Sequence, residues 1–226
     1  MSHINSVVKK PWGYEYLVYE NEDVAMWFLN IEKNQSTSMH CHPKKTTGLV
    51  ILDGTAELSF LGDTRILKGL DKVMIRRGLF HQTKALSDLV WLLEIETPKD
   101  KNDLVRLSDR YGRESKSYEG SDFESPKKSE CLWIDNPNTN ELNQYNFGNC
   151  VIEVQCINHI DVINSKDDND LIIFLNGGMI RNIDGRNHLV TIPGDVGFAN
   201  IVKQVSNQLD GVSENTIIMT IKKNYE

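Results

Sequence analysis

The sequence predicts an all-β protein made of two β-barrels in tandem. Three observations carry this expectation. Short apolar runs separated by turn residues fill positions 13 to 97, a polar stretch follows from 98 to 149, and strand-and-turn patterning returns after Val151. Many short strands at regular spacing suit a sandwich or barrel. The 226 residues, 39% of them hydrophobic, exclude a disordered or fibrous chain and suffice for two cores.

In the first half the apolar runs are Tyr14–Tyr19, Ala25–Ile31, Leu49–Leu52, Ala56–Phe60, Lys72–Ile75 and Leu89–Ile95. Turn signals lie between them at Asn21-Glu22-Asp23, Asp53-Gly54, Leu61-Gly62-Asp63 and Lys68-Gly69. Gly or Asp flanked by β-branched and aromatic residues favours antiparallel hairpins. The next segment contains Lys99-Asp100-Lys101-Asn102-Asp103, the polar run Arg113 to Glu130, and Asn136-Pro137-Asn138-Thr139-Asn140. It reads as an extended connection with one helical turn near Glu141–Tyr145. A linker of that length separates domains, which gives a first barrel at 1–113, a connection at 114–149 and a second barrel at 150–226.

The second half reads as an alternating run Val151–Ile163, an apolar run Leu171–Leu175, then strands at Met179–Ile183, His188–Ile192 and Thr216–Ile221. Thr47–Gly54 and Asp170–Gly177 share an apolar run ending in a glycine turn, and Gly69–Val73 matches Pro193–Gly197 in its turn plus Asp. The repetition predicts one architecture built twice.

Charge and cysteines narrow the function. Lys and Arg total 25 against 32 Asp and Glu, a net charge of −7 that argues against nucleic acid. No apolar run approaches the roughly 20 residues of a membrane span. Met1 to Lys10 lacks a secretion-signal core, and Cys41, Cys131, Cys150 and Cys156 form no CxxC. A cytoplasmic protein with reduced thiols is expected.

The strongest chemical signal is His40-Cys41-His42, with His81 further along. On a strand, His40 and His42 project to one face, because side chains repeat every two residues. Three imidazoles can hold one divalent ion (Zn, Mn, Fe or Ni) and leave positions open for substrate. Lys44, Lys45, Arg76 and Arg77 bracket the histidine segments and suit an anionic ligand. Glu94 and Glu96 alternate onto one face; turned inward, one of them can serve as a general base. Cys41 faces away from its histidine neighbours, and Trp12 and Tyr14 are expected in the core.

This pattern resembles the cupin superfamily, whose first motif runs His-x-His, then a glutamate, then a glycine, and whose second contains Pro-x-Gly-x-x-His. His40, His42 and Gly54 fit the first; Arg76-Arg77-Gly78-Leu79-Phe80-His81 fits the second, with Arg76 in place of Pro. Asn34 replaces the opening glycine, Ala85 replaces the closing asparagine of the second motif, and Thr47 stands in the glutamate position. Lys10-Pro11-Trp12-Gly13-Tyr14-Glu15 and the segment Asp103 to Arg113, which contains Asp109-Arg110-Tyr111-Gly112-Arg113, are similar to the two ends of the type II mannose-6-phosphate isomerase cupin domain, often fused to mannose-1-phosphate guanylyltransferases. That family's Arg and Glu-His-Trp signature is replaced here by Pro43-Lys44-Lys45-Thr46-Thr47-Gly48.

The resemblance implies a bicupin of two jelly-roll barrels. The second is degenerate: aligning Gly177 with Gly54 leaves Ile163, Ser165 and Val205 in the histidine slots, as in a metal-free structural or dimer-forming half. It also implies a metal-dependent isomerase or epimerase acting on a sugar phosphate or nucleotide sugar in surface-polysaccharide precursor metabolism. His40, His42 and His81 would be the metal ligands, Glu96 the proton shuttle, and Lys44, Lys45 and Arg76 the substrate-binding residues. The partners would be a small anionic sugar and a second copy of the chain, with no nucleic acid or membrane. Two further readings are a three-histidine iron(II) dioxygenase and a non-catalytic sugar-binding or regulatory module.

Overall fold

The computed structural model describes residues 6–113, 123–124, 131–138 and 141–224. The chain divides into two compact units, Met1–Trp133 and Ile134–Glu226. Each consists mainly of two antiparallel sheets, the all-β layout expected from the sequence. Among the described residues no helix is long and apolar enough to cross a membrane.

The strands of the first unit are β1 (Val7–Lys10), β2 (Gly13–Glu20), β3 (Ala25–Glu32), β4 (Met39–Cys41), β5 (Thr46–Asp53), β6 (Thr55–Phe60), β7 (Thr64–Lys68), β8 (Lys72–Ile75), β9 (His81–Ala85), β10 (Leu89–Thr97), β11 (Val105–Ser108) and β12 (Phe123–Glu124). One sheet has the order β12-β1-β2-β3-β10-β5-β8, the other β11-β4-β9-β6-β7. The core draws on both: Leu29, Ile31, Leu49, Ile51, Val90 and Leu92 from the first, Ala56, Leu58, Leu67 and Ala85 from the second.

Register on the first sheet sets up the site. Leu92 of β10 lies opposite Leu29, Glu94 opposite Trp27 and Leu49, and Glu96 opposite Ala25 and Thr47. With a period of two, one face of β10 therefore passes from an apolar floor to two carboxylates. Phe28, Val50 and Leu93 on the other face are also buried, which is why this strand reads as a nearly continuous apolar run.

Turn chemistry supplies the remaining geometry. Gly54 joins β5 to β6 at φ +85°, and a Cβ there would collide with the Leu89 carbonyl oxygen, so the Asp53-Gly54 hairpin needs its glycine. Before β9, Gly78 takes φ +72° and its amide donates to the His42 carbonyl at 2.9 Å. That turn delivers His81 to the first position of β9, in register with His40.

The second unit comprises β13 (Leu142–Phe147), β14 (Cys150–Ile157), α1 (Asp161–Asn164), β15 (Leu171–Asn176), β16 (Met179–Ile183), β17 (Arg186–Leu189), β18 (Val196–Phe198), α2 (Ala199–Ser206), β19 (Gly211–Val212) and β20 (Thr216–Lys223). Its sheets have the orders β13-β14-β20-β15-β18 and β17-β16-β19.

Three details correct the sequence reading. The helical turn expected near Glu141–Tyr145 is instead strand β13, paired residue by residue with β14 around Gly148 at φ +56°; backbone pairing with a neighbour overrides its polar composition. The run Val151–Ile163 leaves the sheet after Ile157, and Asp161–Asn164 coils to bury Ile163. Helix α2 was not anticipated; Ala199, Val202 and Ser206 form its buried side. Most of the expected connection, residues 114–122, 125–130 and 139–140, lies outside the described residues.

Candidate metal centre

His40 on β4, His42 just after it and His81 on β9 converge. One ligand atom from each lies within 4.8 Å of the other two, and all three side chains are buried. The ring centroids of His40 and His42 are 4.9 Å apart, and those of His42 and His81 are 5.5 Å apart.

Hydrogen bonds orient the rings. Nδ1–H of His40 donates to the Ser38 carbonyl at 2.8 Å, that of His42 to the Asp103 carbonyl at 2.6 Å, and that of His81 to the Leu79 carbonyl at 3.0 Å. A carbonyl only accepts, so each Nδ1 carries the proton and each Nε2 offers a lone pair. This is the outer-shell pattern of metal-ligating histidines. His42 Nε2 is buried with no hydrogen-bond partner, a cost of about 1–3 kcal/mol unless something else fills that role. The residues present therefore fit a divalent ion.

Burial lowers His40 well below its ordinary pKa, helped by His81 and His42, and lowers His81 to about 4. Both imidazoles are thus neutral at neutral pH, as metal ligands must be. Glu94 Oε1 lies 3.6 Å from His42 Nε2. Burial alone would push the Glu94 carboxyl up; contact with His42 and the charges of Lys101 and Lys45 outweigh it and keep the group ionised.

His40 and His42 open on a cavity lined by five basic side chains, Lys10, Lys45, Lys101, Arg106 and Arg113, against three acidic ones, Glu15, Glu94 and Glu96. In a chain of net charge −7, this is a local positive excess. Lys45 Nζ donates to Glu96 Oε1 at 2.6 Å and to the Asp100 carbonyl at 3.0 Å. Lys101 Nζ sits 3.1 Å from Glu15 Oε1 and 3.5 Å from the centroid of the Trp27 ring. Burial would lower the Lys101 pKa, but Glu15, Glu96 and Glu94 raise it overall, so it remains an ammonium.

The segment from Asp103 to Arg113 closes the site. Strand β11 pairs with β4, with Arg106 opposite His40. The Asp103 carboxylate accepts the amides of Lys44 and Lys45 at 2.8 and 3.0 Å. Arg113 is tied to Asp109 at 2.6 and 2.9 Å, and Tyr111 donates to Gln35 at 2.8 Å.

Of the residues singled out from sequence, His40, His42, Lys45, Glu94 and Glu96 line this cavity, and His81 packs against His40 and His42 beside it. Lys44 and Arg76 are exposed and do not line it. Lys10, Glu15 and Lys101 were not singled out. Glu15 had a signal, since it shares a face of β2 with Leu17 and interrupts a run that is otherwise apolar on that face. Lys101 had none, lying inside a polar run. In the second unit Val205 lies on α2, and Ile163 and Ser165 lie in and after α1. The histidine triad is the group of potential metal ligands found among the described residues.

The first unit is an antiparallel two-sheet β-fold carrying three converging histidines, the arrangement by which it resembles the cupin superfamily. Over about half its length the chain is distantly similar to mannose-1-phosphate guanylyltransferases. It is 24% identical over 114 residues to ManC of Salmonella typhimurium and 23% identical over 113 to the Escherichia coli K12 enzyme, covering 49% of this chain in each case. Each match spans only 24% of the relative's length. No family model matches. Similar solved structures include KdgF from Halomonas sp. (16% identity, TM-score 0.39, 40% of this chain and 84% of that one) and an RmlC-like cupin from Shewanella frigidimarina (12%, 0.40, 45% and 90%). CapF, a capsular polysaccharide assembling protein from Staphylococcus aureus, is 17% identical at a TM-score of 0.41, over 46% of this chain and 32% of that one.

Proposed function

We propose that the first unit is a metal-dependent cupin that isomerises or epimerises a sugar phosphate or nucleotide sugar by moving a proton beside a carbonyl. One observation carries the reading: a buried, ion-paired carboxylate, Glu96, lies in a positively lined cavity beside the cluster of His40, His42 and His81. The similarity to mannose-1-phosphate guanylyltransferases supports the substrate class.

His40, His42 and His81 would hold the ion, which when bound supplies Lewis acidity to a carbonyl or a pair of adjacent hydroxyls. Lys101 and Arg106 bind the anionic group, and the apolar floor below Glu94 excludes water. Glu96 Oε1 takes the proton from carbon and returns it to the neighbouring carbon, while Lys45 fixes the carboxylate in place. The partner in this reading is a small anionic sugar in the cytoplasm, not nucleic acid or a membrane.

The test is proton NMR in deuterated water with metal-loaded protein and mannose 6-phosphate or fructose 6-phosphate. Solvent deuterium should enter at C2, and Glu96→Gln should slow exchange by about 100-fold or more. No exchange and no binding with any hexose phosphate or nucleotide sugar would remove the proposal. The absence of a motif glutamate favours a second reading, a three-histidine iron(II) dioxygenase, which oxygen uptake by the iron-loaded protein would reveal.

A further inference from the structure

Thr47, in the position where the resemblance places an acidic ligand, is 1% exposed and its hydroxyl has no hydrogen-bond partner. It lies on β5 directly opposite Glu96 of β10, and the two-residue period puts it on the same face as Lys45. The acidic group absent from β5 is present one strand away. Glu94 projects from β10 on that same face, and its carboxylate comes within 3.6 Å of His42 Nε2, a buried nitrogen with no hydrogen-bond partner.

The two acids of β10 are held differently. Glu96 is engaged by the Lys45 ammonium at 2.6 Å, while Glu94 Oε1 faces His42 Nε2 at 3.6 Å. An ionised carboxylate is costly to bury unless a cation compensates it. A divalent ion held by the histidines would stand within reach of the Glu94 carboxylate.

We propose that Glu94 is the carboxylate ligand of the metal site, supplied from β10 in place of the side chain that Thr47 lacks. This rests on the metal reading given above. It makes the site three neutral nitrogens and one carboxylate oxygen, and the oxygen shifts preference toward harder divalent ions. Glu94 and Glu96, two residues apart, then divide the work between holding the ion and carrying the proton.

The experiment is cobalt(II) titration of the full chain, reading the d–d absorption and the affinity by chelator competition. The wild type should bind one ion. Glu94→Gln should weaken binding by about 100-fold, the upper end of what even outer-shell partners cost, and should change the band positions and intensity, which a purely structural side chain would not move. Thermal melting reports whether that variant folds. If it does not, Glu94→Asp, which keeps the charge but shortens the reach, should show an altered spectrum and weaker binding. Wild-type binding with an unchanged spectrum and affinity in the folded Glu94 variant would overturn the Glu94 assignment and leave the three-histidine site standing. A wild type that binds no cobalt would remove the metal reading, and this proposal with it.

Discussion

His40 and His81 face each other across the β4–β9 ladder, a cross-strand pair whose ring centroids lie 4.4 Å apart. Main-chain pairing sets that distance, so the two Nε2 atoms are held together before any ion arrives. A ligand pair preorganised in this way loses little entropy on binding. His81→Ala should therefore cost most of the metal affinity, about 100-fold, while leaving the ladder intact. Elemental analysis after dialysis against a weak chelator checks this, and a retained equivalent of metal would contradict it.

Lys45 and Glu96 form a pair that is almost fully buried. Removing one partner leaves an uncompensated charge, at a cost of about 3–5 kcal/mol. Lys45→Met should lower stability by that amount, and adding Glu96→Gln should recover much of it. Urea unfolding of the single and double variants measures the difference. Additive losses would show that the two side chains do not interact.

Asp103 acts through its carboxylate on the amides of Lys44 and Lys45, while its carbonyl holds His42. Asp103→Ala keeps the carbonyl but leaves two amides without their acceptor, a loss of about 1–3 kcal/mol for each that stays buried. The loop carrying His42 should loosen, and metal affinity should fall by about tenfold. Faster amide exchange at Lys44 and Lys45 would accompany it; unchanged exchange would refute the strut.

Glu153 in the second unit accepts from Lys222 at 2.8 Å and Lys166 at 3.2 Å. Burial would raise its pKa, but the two lysines outweigh that and lower it. Its stabilising contribution is therefore complete above the unfolded value of about 4.3 and disappears as pH falls through the lower folded value. Glu153→Gln should be less stable than wild type at pH 7, and the gap should close in acid. A gap that widens below pH 4 would have the wrong sign.

Where a residue's surroundings were local, the sequence was readable. His-x-His on a strand, the Asp53-Gly54 hairpin and the alternating acids of β10 follow from a period of two and from turn sterics. Lys44 and Lys45 could not be told apart, because one is exposed and the other buried by contacts with Glu96 and Asp100, over fifty residues away. Helix α2 was hidden because Ala199–Ser206 follows directly on strand β18 and carries Asn, Lys and Gln between its buried positions. Strand β13 was hidden because Asn143, Gln144 and Asn146 break the alternation of its apolar residues, and backbone pairing with β14 makes it a strand.

The Asp103 carbonyl that holds His42 comes from 61 positions further along the chain, and β11 docks beside β4 only after that. During synthesis all three imidazoles therefore emerge well before the group that aims one of them. A nascent chain ending before Asp103 carries His40, His42 and His81 yet lacks the carbonyl that aims His42. If the triad holds a metal, ribosome-bound fragments should take up the ion only once the Asp103–Ser108 stretch has cleared the exit tunnel.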